Sequence, residues 1–285
     1  MKQERSQIIP PGLYIIATPI GNLKDMTLRA IDVLNAADLI ACEDTRVTGK
    51  LLSHYGITAP TLSYNDHNGE ERRPKIMEAL EQGKRVALVS DAGTPLISDP
   101  GYKLLKEAQA RGFYITTLPG ASSVMAALCL SGLPTDRFLF AGFLPAKEEA
   151  CRKELQQLAT VPSTLIFFES AHRLQDTLGV MHEVLGNREA AVVREITKLY
   201  EESRRDSLSE LIAHYQQHGE PKGEVVIVVG PPLVAHETTE SIEAKLRLLL
   251  SSHSVKEAAA ILAEETGRPR KEIYSLALKL MEERK

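Results

Sequence analysis

The sequence predicts an α/β fold: two consecutive α/β domains followed by a small helical, helix-turn-helix-like domain. Three observations lead there. Short apolar runs alternate with helical periodicity through residue 130, the β-loop-α rhythm of a mainly parallel sheet covered by helices. The polar, turn-rich Ser131–Arg137 interrupts that series, and a second α/β series starts at Phe138–Phe143. Beyond Gly230-Pro231-Pro232 and the polar run to Glu240, the apolar spacing is helical only. The expected domains are 1–131, 132–232 and 241–285.

Leu13–Thr18 reads as the first strand, with Pro19-Ile20-Gly21-Asn22 as the loop at its carboxyl end. Thr27–Ala37 carries Leu28, Ile31, Val33 and Leu34 at helical spacing. Leu39–Cys42 is a second strand ending in Glu43-Asp44-Thr45-Arg46, and a helix through Leu51 and Leu52 follows. Glu70–Gln82 is a helix with Pro74 in its early turns, where proline is best tolerated. Val86–Val89 has the uninterrupted apolar character of a buried parallel strand and opens the long loop Ser90–Gly101, before a helix over Tyr102–Ala110. Phe113–Leu118 is the fourth strand, and Pro119-Gly120-Ala121-Ser122-Ser123 opens a helix rich in Ala and Leu.

In the second series the strands are Phe138–Phe143, Thr164–Phe168, Ala190–Arg194 and Glu224–Val229; the helices are Lys147–Leu158, His172–Leu185 and one near Leu208–Gln217. The tail reads as Ile242–Leu250, Val255–Glu265 and Arg270–Glu283, with a capping box at Ser254 and Glu257 and a turn at Thr266-Gly267-Arg268-Pro269. Ala258, Ala259, Ile261 and Leu262 face Ile273, Leu276, Ala277 and Leu280 in that pattern. It fits a helix-turn-helix with Arg268, Arg270, Lys271 and Lys279 on phosphates, and equally a packing or dimerising appendage.

Composition excludes several classes. A net charge of −4 rules out coating nucleic acid through bulk charge, so any RNA contact needs a local basic patch. No apolar run approaches the roughly 18 residues of a membrane span, and the polar amino terminus has no signal-peptide core behind it. Cys42, Cys129 and Cys151 are odd in number and lack metal-ligand spacing; they read as reduced thiols of a cytoplasmic protein, and no metal is expected.

Five loops follow predicted strands: Pro19–Leu23, Glu43–Arg46, Ser90–Gly101, Pro119–Ser123 and Glu169–Arg173. In a parallel arrangement they converge on one cleft. The central one, S-D-A-G-T-P-L-I-S-D-P-G, matches neither a Walker phosphate loop nor the G-x-G-x-x-G dinucleotide fingerprint. It holds no Lys or Arg but several polar residues (Ser90, Asp91, Thr94, Ser98, Asp99), which suits a neutral or cationic ligand. Ala92 and Gly93 allow backbone groups to approach that ligand; a long structural turn is the alternative.

Asp44 and Arg46 read as a proton acceptor with an anion-orienting cation, or as a helix start with Asp44 as cap. Glu169 is a partly desolvated acid at the end of an apolar strand, and Ser170 a capping residue. His172 is a base or a solvated helix-start residue, and Lys198 lies in a charged segment after Arg194. No serine sits in a nucleophile elbow.

Read together, T-P-I-G-N-L, E-D-T-R, the central loop and L-P-G-A-S-S resemble the tetrapyrrole methylase superfamily. G-F-L-P-A-K, F-F-E-S-A-H-R-L, R-E-I-T-K-L-Y-E-E and K-G-E-V-V-I-V-V are similar to its ribosomal small-subunit RNA methyltransferase I branch, which methylates a cytidine 2′-hydroxyl in the decoding region of 16S rRNA. The resemblance runs in order from about residue 12 to 230 and continues into the tail. It implies S-adenosylmethionine as cofactor, a cleft between the two α/β domains, and a homodimer acting on 16S rRNA or the 30S subunit.

Carried over by motif, the implied cofactor contacts are Pro19, Ala92, Gly93, Thr94, Ile97, Ser122, Ser123 and Phe168. The superfamily's Gly-Pro-Gly turn and Gly-Asp-Pro loop read T-P-I-G and G-T-P here, so no Asp side chain stands at that point. A ribose hydroxyl is a very weak acid, so methylation needs a base or a nearby cation. Lys198 with a lowered pKa, Asp44 and Glu169 are the candidates, with Arg46, His172 and Arg173 on the RNA. DNA is excluded as substrate because it lacks the reacting hydroxyl. Rival readings are a superfamily methylase acting on a tetrapyrrole or protein side chain, and a non-catalytic RNA-binding assembly factor.

Overall fold

The first sheet and its helices alternate along the chain: β1 (Gly12–Ile16), α1 (Leu28–Ala36), β2 (Leu39–Cys42), α2 (Thr45–His54), β3 (Thr61–Ser63), α3 (Gly69–Glu81), β4 (Arg85–Val89), α4 (Tyr102–Ala110), β5 (Ile115–Leu118) and α5 (Ser123–Ser131). These are the elements of a computed structural model that describes residues 9–98, 101–232, 239–266 and 269–282. The strand order is β3-β2-β4-β1-β5, all parallel. β1 and β4 are central, and all of β1 is buried, which is why its apolar run shows no alternation. Successive residues feed opposite layers. Leu13, Val86 and Leu88 pack with Ile76, Met77 and Leu104, while Tyr14, Ile16, Ala87 and Val89 pack with Ala30, Val33, Leu34 and Leu52.

β1 is shorter than its apolar run. The chain leaves the sheet after Ile16, and Thr18 forms an antiparallel bridge with Gly93 in the central loop. β3 is an additional strand, a three-residue edge segment in which only Leu62 is apolar.

The second series comprises β6 (Phe138–Phe143), α6 (Glu148–Leu158), β7 (Thr164–Ser170), α7 (Leu174–Leu185), β8 (Glu189–Arg194), β9 (Glu202–Ser207), α8 (Leu208–His218) and β10 (Glu224–Val229). Its order is β6-β7-β10-β8-β9. Only β6 and β7 run parallel; β10 is antiparallel to β7 and β8, and β9 to β8, so the second sheet is mixed. β9 is a strand that the sequence pattern does not predict. Its sequence, ESRRDS, has no apolar residue and sits at the sheet edge, where charges keep other strands away.

One face of this sheet packs on α6, α7 and α8 through Leu155, Leu174, Leu178, Leu208 and Leu211. The other is covered by α5, whose Val124, Ala127 and Leu128 meet Ile166, Ala191, Val193, Val226 and Val228. Ile20, from the loop after β1, joins the same cluster. The helix that ends the first series thus roofs the second sheet, and both sheets share one compact unit, residues 1–232.

Residues 233–285 form a separate unit. α9 (Thr239–Leu249), α10 (Val255–Thr266) and α11 (Arg270–Glu282) enclose a core of Ile242, Leu246, Ala258, Ala259, Leu262, Ile273, Ala277 and Leu280. Ile261 is 39% exposed and stands outside that core. The capping box forms: Ser254 N–H donates to Glu257 Oε2 at 3.0 Å and Glu257 N–H to Ser254 Oγ at 3.4 Å. Arg270 donates to the Lys256 carbonyl at 3.3 Å; Arg268 lies outside the described residues, as does Asp99 of the central loop. No helix among the described residues is long and apolar enough to cross a membrane.

Candidate active site

Four of the five strand-end loops meet at a cavity of about 550 Å³, inside the range of roughly 300–1,000 Å³ for small-molecule sites. The β1 loop supplies Ile20, the β4 loop Ala92 and Ser98, the β5 loop Ser123, and β7 with its following turn Phe168, Glu169, Ser170, Ala171 and His172. Phe143 and the Gly223–Val226 start of β10 complete the lining. β10 contributes because it is antiparallel to β7: its first residues lie opposite Ser170, Glu169 and Phe168.

The central loop is tied to the β1 loop by reciprocal backbone bonds between Thr18 and Gly93, of 2.9 and 3.0 Å. Ser90 Oγ donates to the Gly93 carbonyl at 3.2 Å, and Thr94 Oγ1 to the Ala121 carbonyl at 3.1 Å. Gly93 has a φ of +80°, and a Cβ there would sit 3.3 Å from Ile20 Cγ2, so glycine is what lets this backbone stand at the cavity.

Leu96 (φ 76°) and Ser98 (φ 62°) adopt left-handed conformations in the same loop. The other two non-glycine residues with positive φ among the described residues, Glu195 (φ 48°) and Thr197 (φ 65°), lie in the β8–β9 connection. That connection packs on the β1 loop. A Cβ on Gly21 would lie 2.5 Å from Lys198 Cγ, and Asn22 N–H donates to Thr197 Oγ1 at 3.1 Å. Each such residue costs on the order of 1 kcal/mol or more, and such strain concentrates at functional sites.

Glu169 is 3% exposed. Its Oε1 accepts from Ser170 N–H (2.8 Å) and Ser170 Oγ (3.2 Å), and its Oε2 from Thr177 Oγ1 (2.6 Å). Ser170 therefore serves Glu169 and makes no helix-cap bond. Arg173, 3.5 Å from Glu169 Oε2, is held by the carbonyls of Leu144 and Pro145 at 3.1 Å each. His172 is exposed at the cavity wall.

Lys198 Nζ stands 3.0 Å from Glu195 Oε1 and 2.8 Å from Glu224 Oε2, and Glu224 lines the cavity. Burial alone pulls its pKa down, but the two carboxylates together outweigh that, and the net shift is upward. This corrects the expected lowering: Lys198 is held as an ammonium. Gly223 makes room for the arrangement, since a Cβ there would lie 2.1 Å from Glu195 Oε1.

Asp44 caps α2, accepting from Arg46 N–H at 2.8 Å, and pairs with the Arg46 guanidinium at 2.6 Å. Arg46 holds its carboxyl down to about 2. Neither residue lines the cavity; the pair touches the central loop from outside, where Asp44 N–H donates to Asp91 Oδ1 at 3.1 Å. Ser122 caps α5 by accepting from Met125 N–H at 3.4 Å. Phe168 packs edge-on against Phe140 and Phe143, at ring separations of 4.8 and 5.4 Å. Pro19 is half-buried and does not line the cavity, and Ile97 is 44% exposed.

Phe143, Glu195, Gly223 and Glu224 were absent from the sequence-based set. Glu195 and Glu224 carried a faint signal as charges flanking apolar strands. Among the described residues no His, Cys, Asp and Glu cluster could hold a metal ion.

This cavity, between two α/β sheets and walled by strand-end loops, belongs to a known type. The chain belongs to the tetrapyrrole (corrin/porphyrin) methylase family, whose model matches residues 12–212. The solved uroporphyrin-III-C-methyltransferase of Thermus thermophilus shares the fold, with a TM-score of 0.55 and 19% identity over 76% of this chain and 93% of that one. Within the family the chain groups with proteins named ribosomal RNA small subunit methyltransferase I. That of Mesorhizobium japonicum is 48% identical, over 95% of this chain and 93% of its own length. That of Erythrobacter litoralis is 53% identical, over 95% and 96%. Residues 236–281 match the RsmI C-terminal HTH domain.

Proposed function

We propose that this protein is an S-adenosylmethionine-dependent ribosomal RNA methyltransferase that modifies the 2′-hydroxyl of a cytidine in the decoding region of 16S rRNA, on the 30S subunit. The relatives' shared name and near-complete overlap support the reaction class. The observation that carries the reading within this chain is the cavity where four strand-end loops, one of them with non-glycine residues at positive φ, and the start of β10 meet.

The cavity fits the cofactor. Among the described residues no Lys or Arg lines it, which suits a sulfonium cation; Ile20, Phe143, Phe168 and Val225 offer apolar surface for an adenosyl group. When bound, S-adenosylmethionine supplies an electrophilic methyl group. Pro19, Ala92, Gly93, Thr94, Ile97, Ser122, Ser123 and Phe168 are assigned to hold it.

Lys198 is assigned to the substrate oxygen. An ammonium kept charged by Glu195 and Glu224 favours the developing alkoxide electrostatically, and Glu224, exposed at the rim, accepts the hydroxyl proton. Arg46, His172 and Arg173 are assigned to the RNA; of these, His172 lines the cavity with its ring exposed. Asp44 and Glu169 support loop structure in this scheme. The protein acts in the cytoplasm as a homodimer, with exposed apolar side chains such as Met125 and Leu130 as surface for a second copy.

The test is methyl transfer from labelled S-adenosylmethionine to 30S subunits, naked 16S rRNA and a porphyrinoid, with the product identified. Label in 2′-O-methylcytidine supports the proposal. Label only in the porphyrinoid keeps the fold and overturns the substrate, and absence of cofactor binding removes the activity.

A further inference from the structure

A second cavity, of about 500 Å³, lies between α8 and the β8–β9 connection, lined by Arg194, Tyr200, His214, His218, Pro221 and Lys222 among others. We infer that it is a nucleobase subsite, holding an unpaired RNA nucleotide next to the one whose ribose is methylated. The inference rests on the RNA-methylating reading above and names a further part of its substrate.

Rings supply the first argument. His214 and His218, one helical turn apart, stack at 4.2 Å with planes 25° apart. His214 also meets Tyr215 edge-on at 5.0 Å. Burial and the nearby Arg204 lower the His214 pKa, which keeps that ring neutral and compatible with the stack. His218 Nδ1 bonds the His214 carbonyl at 2.9 Å, which fixes the ring. Tyr200, at 69% exposure, adds a largely open aromatic side chain. Single-stranded RNA is recognised by such stacking surfaces flanked by cations.

Charge supplies the second. Glu202, the lining carboxylate nearest the cations, is neutralised by Arg194 at 2.7 Å and Arg204 at 3.3 Å. Glu220 is exposed. Lys222, which lines the cavity, makes no ion pair among the described residues and is available to a phosphate.

Continuity supplies the third. Lys222 lines this cavity, and Gly223 and Glu224, the next two residues, line the candidate active site. Consecutive Cα atoms are about 3.8 Å apart, so the two cavities adjoin along this segment.

The experiment uses short single-stranded RNAs carrying 2-aminopurine at one position per oligonucleotide, with the wild-type protein, Tyr200→Ala and His218→Ala. Both side chains are exposed, so the variants keep the fold, which S-adenosylmethionine calorimetry checks independently. The expected result is quenching at one position next to the target cytidine in the wild type, lost in both variants, with RNA affinity reduced about 5- to 50-fold. Wild-type quenching that survives in both variants overturns the subsite, as does its absence at every position. Unaltered quenching with loss of 30S methylation also overturns it and assigns the surface to a ribosomal protein. Position-specific, Tyr200-dependent quenching in a protein that methylates no RNA keeps the subsite and brings down the methylation reading instead.

Discussion

Replacing Glu169 by Gln separates support of the loop from chemistry at the site. The carboxylate is 3% exposed and accepts three hydrogen bonds, two from Ser170 and one from Thr177, with Arg173 at 3.5 Å. Gln keeps one acceptor oxygen. If its amide faced Ser170 it would confront a backbone N–H that cannot turn away; facing Thr177 it meets a hydroxyl that can reverse. The second orientation is the cheaper, yet it still places an N–H₂ beside the Arg173 guanidinium and removes the charge from every bond. Bonds to charged groups are worth about 1.5–3 kcal/mol against ~1 kcal/mol for neutral ones. Reverting three such bonds therefore costs about 2–4 kcal/mol in sum. For a unit spanning residues 1–232, each kcal/mol lowers Tm by roughly 2–4 °C, so E169Q should melt about 4–15 °C below wild type. Differential scanning calorimetry measures this, and methyl transfer well below both melting points should fall by less than about tenfold. An unchanged Tm would refute the reasoning. A thousandfold loss of turnover at unchanged Tm would put Glu169 on the reacting groups.

Three further outcomes are expected. Lys198→Met should lose about 10²–10³-fold in kcat with S-adenosylmethionine affinity unchanged, because one electrostatic partner of the developing oxyanion is gone; Lys198→Arg should recover part of it, and wild-type turnover in both would remove the assignment. Gly93→Val puts a branched side chain at φ +80°, against Ile20, and should weaken cofactor binding by at least about tenfold in calorimetry; undiminished affinity would show that the loop is not the cofactor's cradle. Asp38, bonded to the Arg85 backbone and guanidinium, has its pKa lowered from 3.8 to about 2, chiefly by that side-chain bond. A folded pKa below the unfolded one gives stability that is full above pH ~4 and lost as pH falls through 2. Asp38→Asn should therefore destabilise at neutral pH and converge on wild type near pH 2 in urea titrations.

Much of the fold is legible along the chain because buried parallel strands and amphipathic helices write their burial into local pattern. Leu39–Cys42, Tyr102–Ala110, Phe138–Phe143 and Glu224–Val229 have the expected bounds. β3 and β9 were not legible, since edge strands bury few side chains and need no apolar run. The antiparallel direction of β10 was equally hidden: strand periodicity is the same whichever way the neighbour runs. The cavity's second wall was hidden with it, because that direction sets Gly223–Val226 against the end of β7.

The sequence by itself determined where the buried strands lie, which loops follow them, and that the central loop presents small and acidic residues without a cation. Those properties depend on neighbours a few positions away. Only the tertiary structure decided what the charged residues do. Asp44 is bonded to Arg46, Glu169 to Ser170 and Thr177, and Lys198 to two carboxylates, one of them 26 positions along the chain. The state of an ionisable group follows from the charges and donors around it in space. Antiparallel pairing of β10 with β8, which sets Val225 opposite Arg194, brought Glu224 within reach of Lys198.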